Sequence, residues 1–229
     1  YIFKKHVFCF EHNNIDELSK SMFKRSLYKL ASRNTTSIVF SRVIGEYIKS
    51  EFKRDYLIIS HPSLYEEEVS RSYGKQDVLN VLVMNVSLRE ALVDSIKKSL
   101  LNRTDVFVTF KQAKAKGFNW CQIPFFDDYR EKLLSSNCIV IGGIYSYRMS
   151  GVMIDALSSR AKVLLVEKSS VFDEYIETYS SMIGYYRNLD DLIEFCSSEI
   201  DTEEYVRFMV RHRMKYSFVK QLLKFSDVK

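Results

Sequence analysis

Glycine is scarce in this 229-residue chain, with seven residues, and proline scarcer, with two, which excludes collagen-like repeats and low-complexity stretches. No apolar run approaches the ~18–20 residues of a membrane-spanning helix, and no charged-then-apolar signal segment opens the chain. The four cysteines, Cys9, Cys121, Cys138 and Cys196, are widely spaced and mostly set in apolar runs. They read as buried reduced thiols rather than a disulfide framework, which points to a reducing, cytoplasmic compartment. Charge of one sign is also missing: 34 Lys and Arg against 29 Asp and Glu leave +5, too small an excess to argue for nucleic acid unless it is clustered. No nucleic-acid partner is expected.

What is present suits a globular protein: 46% hydrophobic, 14% aromatic and 28% charged residues, in 27.0 kDa, enough for one large domain or two small ones. The chain opens at Tyr1 rather than Met and enters a strand-like run at once, so upstream sequence is expected.

Short β-branched and aromatic runs alternate with segments of helical period, the pattern of parallel strands joined by helices, so the class is α/β. His6 to Phe10 reads as a strand, Lys20 to Ser32 as a basic helix, Ser37 to Ser41 as a strand, Val43 to Phe52 as a helix and Tyr56 to Ile59 as a strand. Residues 1–65 make about half of a doubly wound domain. Residues 66–76 are polar, contain Gly74 and lack a clean period, as a linker would. Residues 77–200 form a complete Rossmann-like unit: strands Val78 to Val86, Asp105 to Phe110, Trp120 to Ile123, Cys138 to Ile141 and Lys162 to Val166, helices Leu88 to Leu101, Asp128 to Ser135 and Gly151 to Ser158, then a final helical pair. Runs such as VLNVLVM, CIVIGG and KVLLVE are near-continuous apolar runs, as in strands covered on both faces. Residues 201–229 hold the last helix, Glu203 to Phe225, amphipathic with a basic side, packing back across the domains.

The most informative stretch is Cys138 to Glu167, where a buried strand runs into a glycine pair, a polar loop and a helix opened by Ser150-Gly151. Unpaired backbone N–H groups and the dipole favour an anion at a helix start, and Gly151 allows close backbone approach. Ser150 either only caps the helix or also donates to a phosphate oxygen. Arg148 can add a charge-assisted contact. Asp155 falls one turn along the same face, within reach of a ligand over the helix start. In open parallel sheets, ligands bind beyond the carboxyl ends of the strands, which is this end.

These residues, YSYRMSGVMIDALSSRAKVLLVE, resemble the C-terminal donor-binding domain of GT-B fold glycosyltransferases, specifically the retaining, nucleotide-sugar-dependent type. That family carries two glutamates separated by seven residues. The second falls on Asp155, which keeps a carboxylate for the donor ribose; the first falls on Tyr147, which departs from the family's sugar-contacting carboxylate. EHN at Glu11 to Asn13, IVFSRVIGEYI at Ile38 to Ile48 and SHPS at Ser60 to Ser63 look like late elements of the N-terminal acceptor-side domain. The resemblance then covers nearly the whole chain and lacks the first part of that domain.

The resemblance also places other residues. Lys111, past the strand DVFVTF, is either a diphosphate-neutralising cation or an exposed loop lysine. The run CQIPFF, with Ile123, Pro124 and Phe125, lies where the family holds the nucleobase; either Phe125 or Phe126 stacks on the base, or the run is plain core. His12 faces the expected cleft, as a base toward the acceptor hydroxyl, an acceptor-binding group or a structural histidine. Asp127-Asp128 precedes a helix, where carboxylates favour the dipole, and Cys9 with His12 lacks a second ligand pair. No metal and no cofactor are expected; the nucleotide diphosphate sugar is a co-substrate.

The run Lys20 to Arg33 and the C-terminal helix form two basic surfaces. They fit either an anionic membrane surface or, for the first, a solvated face and, for the second, packing on the protein itself. The resemblance implies a hexosyltransferase-like enzyme of cell-surface polysaccharide synthesis. It would move a sugar to a saccharide or lipid-linked saccharide, in the cytoplasm or on the inner face of the membrane. The competing reading is a GT-B-like nucleotide-binding or scaffold module without catalysis.

Overall fold

The computed structural model describes residues 7–11, 14–31, 35–65, 68–69, 78–84, 89–112 and 115–213. The first part runs β1 (Val7–Phe10), α1 (Asn14–Lys20), α2 (Met22–Ala31), β2 (Thr35–Val39), α3 (Arg42–Phe52) and β3 (Tyr56–Ile58), with three parallel strands in the order β1-β2-β3. Helix α3 starts where Ser41 Oγ accepts the Val43 N–H at 3.2 Å, and its apolar positions Ile44, Ile48 and Phe52 are buried. Between Cys9 and β2 lies a buried charge cluster. The Glu11 carboxylate stands 3.5 Å from the Arg54 guanidinium and accepts hydrogen bonds from Tyr28 and Ser37.

The second part runs β4 (Leu79–Met84), α4 (Glu90–Ser99), β5 (Val106–Phe110), β6 (Ala115–Lys116), β7 (Trp120–Gln122), α5 (Tyr129–Ser135), β8 (Cys138–Ile141), α6 (Gly151–Ser158), β9 (Lys162–Leu165), α7 (Ser170–Thr178), β10 (Ile183–Tyr185), α8 (Leu189–Ser197) and α9 (Thr202–His212). Its strand order is β10-β9-β8-β4-β5-β7-β6, with β6 alone antiparallel among the described strands. The chain steps outward from β4 through β5 to β7, then returns to β8 and steps the other way. The direction of winding therefore reverses between β4 and β8, and such a reversal opens a crevice at the carboxyl ends of the strands.

The sequence reading needs four amendments. Helix α1 precedes the basic helix, because Ile15 and Leu18 are buried and anchor it. Two strands join the eight read from sequence: β6, which pairs antiparallel with β7, and β10, which pairs in parallel with β9 beyond α7. Helix α9 spans Thr202–His212; residues 214–229, the rest of the expected C-terminal helix, lie outside the described residues, as does most of the expected linker. Among the cysteines only Cys138 is fully buried, the other three being partly exposed.

One apolar core joins the two parts, from Ile38 and Ile44 through Ile154 and Leu157 to Phe208, while a second, with Val81, Ile96, Phe110 and Cys138, fills the other face of the larger sheet. Helix α9 clasps the crossing between them. Tyr205 Oη donates to Ser158 O at 3.1 Å and accepts the Val69 N–H at 2.9 Å. His212 Nδ1 donates to His61 O at 2.7 Å, and the Ser63 N–H donates to His212 O at 3.1 Å. Among the described residues no helix is long and apolar enough to cross a membrane.

Candidate functional site

Strand β8 carries the chain to the reversal point, and the loop 142–150 turns it into α6. Ser150, almost fully buried, accepts the Met153 N–H through Oγ at 3.2 Å, so it caps the helix. Its hydroxyl hydrogen remains available to a second acceptor. At Gly151 an added Cβ would lie 3.5 Å from Cε1 of His61. The helix start therefore has a ring from the first part standing over it, and a glycine keeps the space between them.

Arg148 precedes this helix start. Its Nε is 3.2 Å from Asp16 Oδ2 on α1, and its guanidinium lies 4.9 Å from the centre of the Tyr145 ring. Asp16 Oδ1 also accepts the Tyr147 N–H. The Tyr147 ring stacks on Tyr47 of α3, with centroids 4.1 Å apart at 25°. One loop of the larger sheet thus rests on two helices of the smaller one.

Asp155, one turn into α6, accepts the Leu64 N–H at 3.1 Å. Burial pushes its carboxyl up to about 6, and the single hydrogen bond offsets only part of that. Lys111 extends the line of β5, its N–H donating to Val83 O at 3.0 Å, and its side chain is exposed at the carboxyl end of that strand. Ile123 is half-buried and bonded to Phe110 O at 2.9 Å, whereas Pro124 is exposed and Phe125 stands 79% exposed. Phe126 turns inward onto the core. His12 lies outside the described residues.

The fold thus brings Tyr147, Arg148, Ser150, Gly151 and Asp155 to one edge of the interface between the parts, with Lys111 at the end of β5, two strands away from β8. Asp16, Tyr47 and His61 join them without having been singled out by the sequence reading; the sole signal for His61 is its place just after a strand, in SHPS. Among the described residues no group of three or more His, Cys, Asp or Glu is placed to hold a metal ion, and Asp128 caps α5 through the Glu131 N–H at 2.8 Å.

No protein-family model matches the chain, and no curated protein matches it by sequence. Solved structures do. The glycotransferase of kitacinnamycin superposes with a TM-score of 0.56 at 10% identity, over 94% of this chain and 65% of that one. WaaG, a glycosyltransferase involved in lipopolysaccharide biosynthesis, superposes with a TM-score of 0.56 at 10% identity, over 96% of this chain and 73% of that one. The chain therefore spans about two thirds to three quarters of the length of these two proteins. With its two facing parallel-sheet parts and the reversal between β4 and β8, the chain has the GT-B fold of glycosyltransferases.

Proposed function

We propose that this chain carries the donor-binding domain and part of the acceptor-side domain of a glycosyltransferase that moves a sugar from a nucleotide diphosphate donor to a saccharide or lipid-linked saccharide. The observation that carries the reading is the capped start of α6 at Ser150-Gly151, beside Arg148 and at the reversal point of the larger sheet. The helix start offers backbone N–H groups to an anion, and Arg148, two residues ahead of the cap and paired with Asp16, is the cation nearest to it in sequence. The donor diphosphate rests on this helix start, with Lys111 offsetting further charge. Asp155 reaches the ribose, and the 123–125 stretch flanks the base.

In the reaction the bond from the sugar's anomeric carbon to the diphosphate oxygen breaks and a bond to the acceptor oxygen forms. The hydroxyl proton passes to a base, for which His12 is the candidate, and the charge left on the diphosphate is held by Arg148 and the helix start. WaaG's part in lipopolysaccharide biosynthesis is the analogy for a lipid-linked saccharide as acceptor.

Thermal unfolding against UDP, GDP, CMP, TDP, ADP and their sugars tests the donor site, since a ligand of the folded state raises its apparent stability. A rise in Tm with one nucleotide family supports the reading and names the base; no rise with any of them overturns it. A second reading, a nucleotide-binding or scaffold module without turnover, is favoured by Tyr147. Its ring is engaged with Tyr47, and it offers no carboxylate to the donor sugar. Nucleotide binding without release of sugar from any bound donor, in the presence of acceptors, separates the two.

A further inference from the structure

Helix α2 turns its apolar side away from the protein. Met22, Phe23, Leu27 and Leu30 are 85%, 73%, 51% and 66% exposed, a density of bare large side chains that no other described helix approaches. At 3.6 residues per turn Phe23, Leu27 and Leu30 form one stripe, with Met22 and Ser26 along its border. The opposite face holds the helix to the fold. There Tyr28 reaches Glu11 and packs edge-on against Phe52 at 4.8 Å, and Arg25 pairs with Glu51. Lys24 and Lys29 flank the stripe on its two sides, both exposed, with Lys24 ion-paired to Glu17 of α1 and Lys29 Nζ 5.9 Å from the centre of the Phe52 ring, and Lys20 stands exposed just before the helix. From Lys20 to Arg33 the sequence contains five cations, Lys20, Lys24, Arg25, Lys29 and Arg33, and no acidic residue.

We propose that α2 is a docking surface for an anionic lipid bilayer, lying in the interface with Phe23, Leu27 and Leu30 among the acyl chains and Lys20, Lys24 and Lys29 at the phosphates. An outward apolar stripe bordered by lysines is the arrangement a helix needs to lie flat in the headgroup layer, because the stripe gains burial and the flanking cations meet lipid phosphate. A protein partner would bury the stripe equally well, but a border of three lysines, against which the one paired carboxylate among the described residues is that of Glu17, is complementary to a negative lipid surface. The attraction is short-ranged and falls with salt. This surface is distinct from the start of α6 and does not depend on what binds there.

The test is flotation of the full chain with vesicles of equimolar phosphatidylglycerol and phosphatidylcholine, against phosphatidylcholine alone. The chain is expected to float with the anionic vesicles, to stay down with the neutral ones, and to be released by high salt. Phe23→Glu with Leu27→Glu is expected to lower partitioning at least tenfold, and Lys24→Gln with Lys29→Gln several-fold, both with little change in Tm because all four side chains are exposed and the Lys24–Glu17 pair is a surface one. Failure of the wild-type chain to float with anionic vesicles overturns the proposal. So does a wild-type dimer in light scattering that Leu27→Glu converts to monomer, since a second copy then covers the stripe. Neither result alters the nucleotide shifts that test the start of α6.

Discussion

Asp16 on α1 and Arg148 before α6 meet between the carboxyl ends of the two sheets, Nε standing 3.2 Å from Oδ2, with the Asp16 side chain 10% exposed. The same carboxylate takes the Tyr147 N–H. It thus occupies the guanidinium and a backbone donor from the loop that an anion at the start of α6 would also use, and it presents a like charge to that anion.

Asp16→Asn keeps an acceptor for the Tyr147 N–H and removes the opposing charge. Affinity for the recognised nucleoside diphosphate is expected to rise about tenfold, and Arg148→Ala is expected to lower it by at least as much. Isothermal titration calorimetry reads both; an Arg148→Ala protein that binds as tightly as wild type removes Arg148 from the site.

At Gly151 the nearest atoms to an added Cβ, those of the His61 ring, are 3.5 and 3.6 Å away, an ordinary contact. Gly151→Ala is therefore expected to leave stability within about 1 kcal/mol of wild type while weakening nucleotide binding by shielding the backbone. Gly151→Val adds methyl groups that press on His61 and should weaken binding further. Chemical denaturation alongside the same titration separates the two effects.

Asp155 has a folded pKa of about 6, above its unfolded value. The folded state then holds this proton more tightly, so the group's contribution is favourable below about pH 4 and is lost as pH rises to about 6. Asp155→Asn retains an oxygen for the Leu64 N–H and removes the ionisation. It should raise stability by about 2–3 kcal/mol at pH 7 and by little at pH 4. Equal gains at both pH values would contradict the burial argument.

His212 is shifted the other way: burial, against Phe208 and Tyr175, lowers it to about 3. The unfolded chain takes up the proton first, so stability falls as pH drops below about 6.5, by up to about 1.4 kcal/mol per pH unit until about pH 3. His212→Gln can still donate to His61 O and should show a shallower acid limb in the denaturant midpoint plotted against pH.

Arg54→Met leaves the fully buried Glu11 without its cation, and removing one partner of such a pair costs about 3–5 kcal/mol. Adding Glu11→Gln should recover much of that loss in urea unfolding. A double variant no more stable than Arg54→Met would show that the hydrogen bonds from Tyr28 and Ser37, rather than the pair, hold the cluster.

The strands CIVI and KVLL are legible from sequence because both faces of each are buried, so the apolar run is unbroken. Ser150-Gly151 is legible because capping and close approach are local demands that particular residue types meet. Helix α1 is not, since Ile15 and Leu18 are its two buried apolar residues, too few to show a period. Lys162 opens the KVLL strand and is buried, with Nζ donating to Phe195 O and Ser198 Oγ, partners 33 and 36 residues away that no local pattern shows. In α2 the sequence shows two faces but not which one the protein covers. The contacts that complete the site, Asp16 to Tyr147 and Asp155 to Leu64, span 131 and 91 residues and leave no local pattern.

The clasp made by α9 has a consequence for how the molecule is born. Translation delivers every described strand of both sheets before it reaches Tyr205 and His212, the side chains that tie the crossing at 61–69. A nascent chain halted before Thr202 would hold its two halves without that seal, and the tie would close only as α9 clears the ribosome.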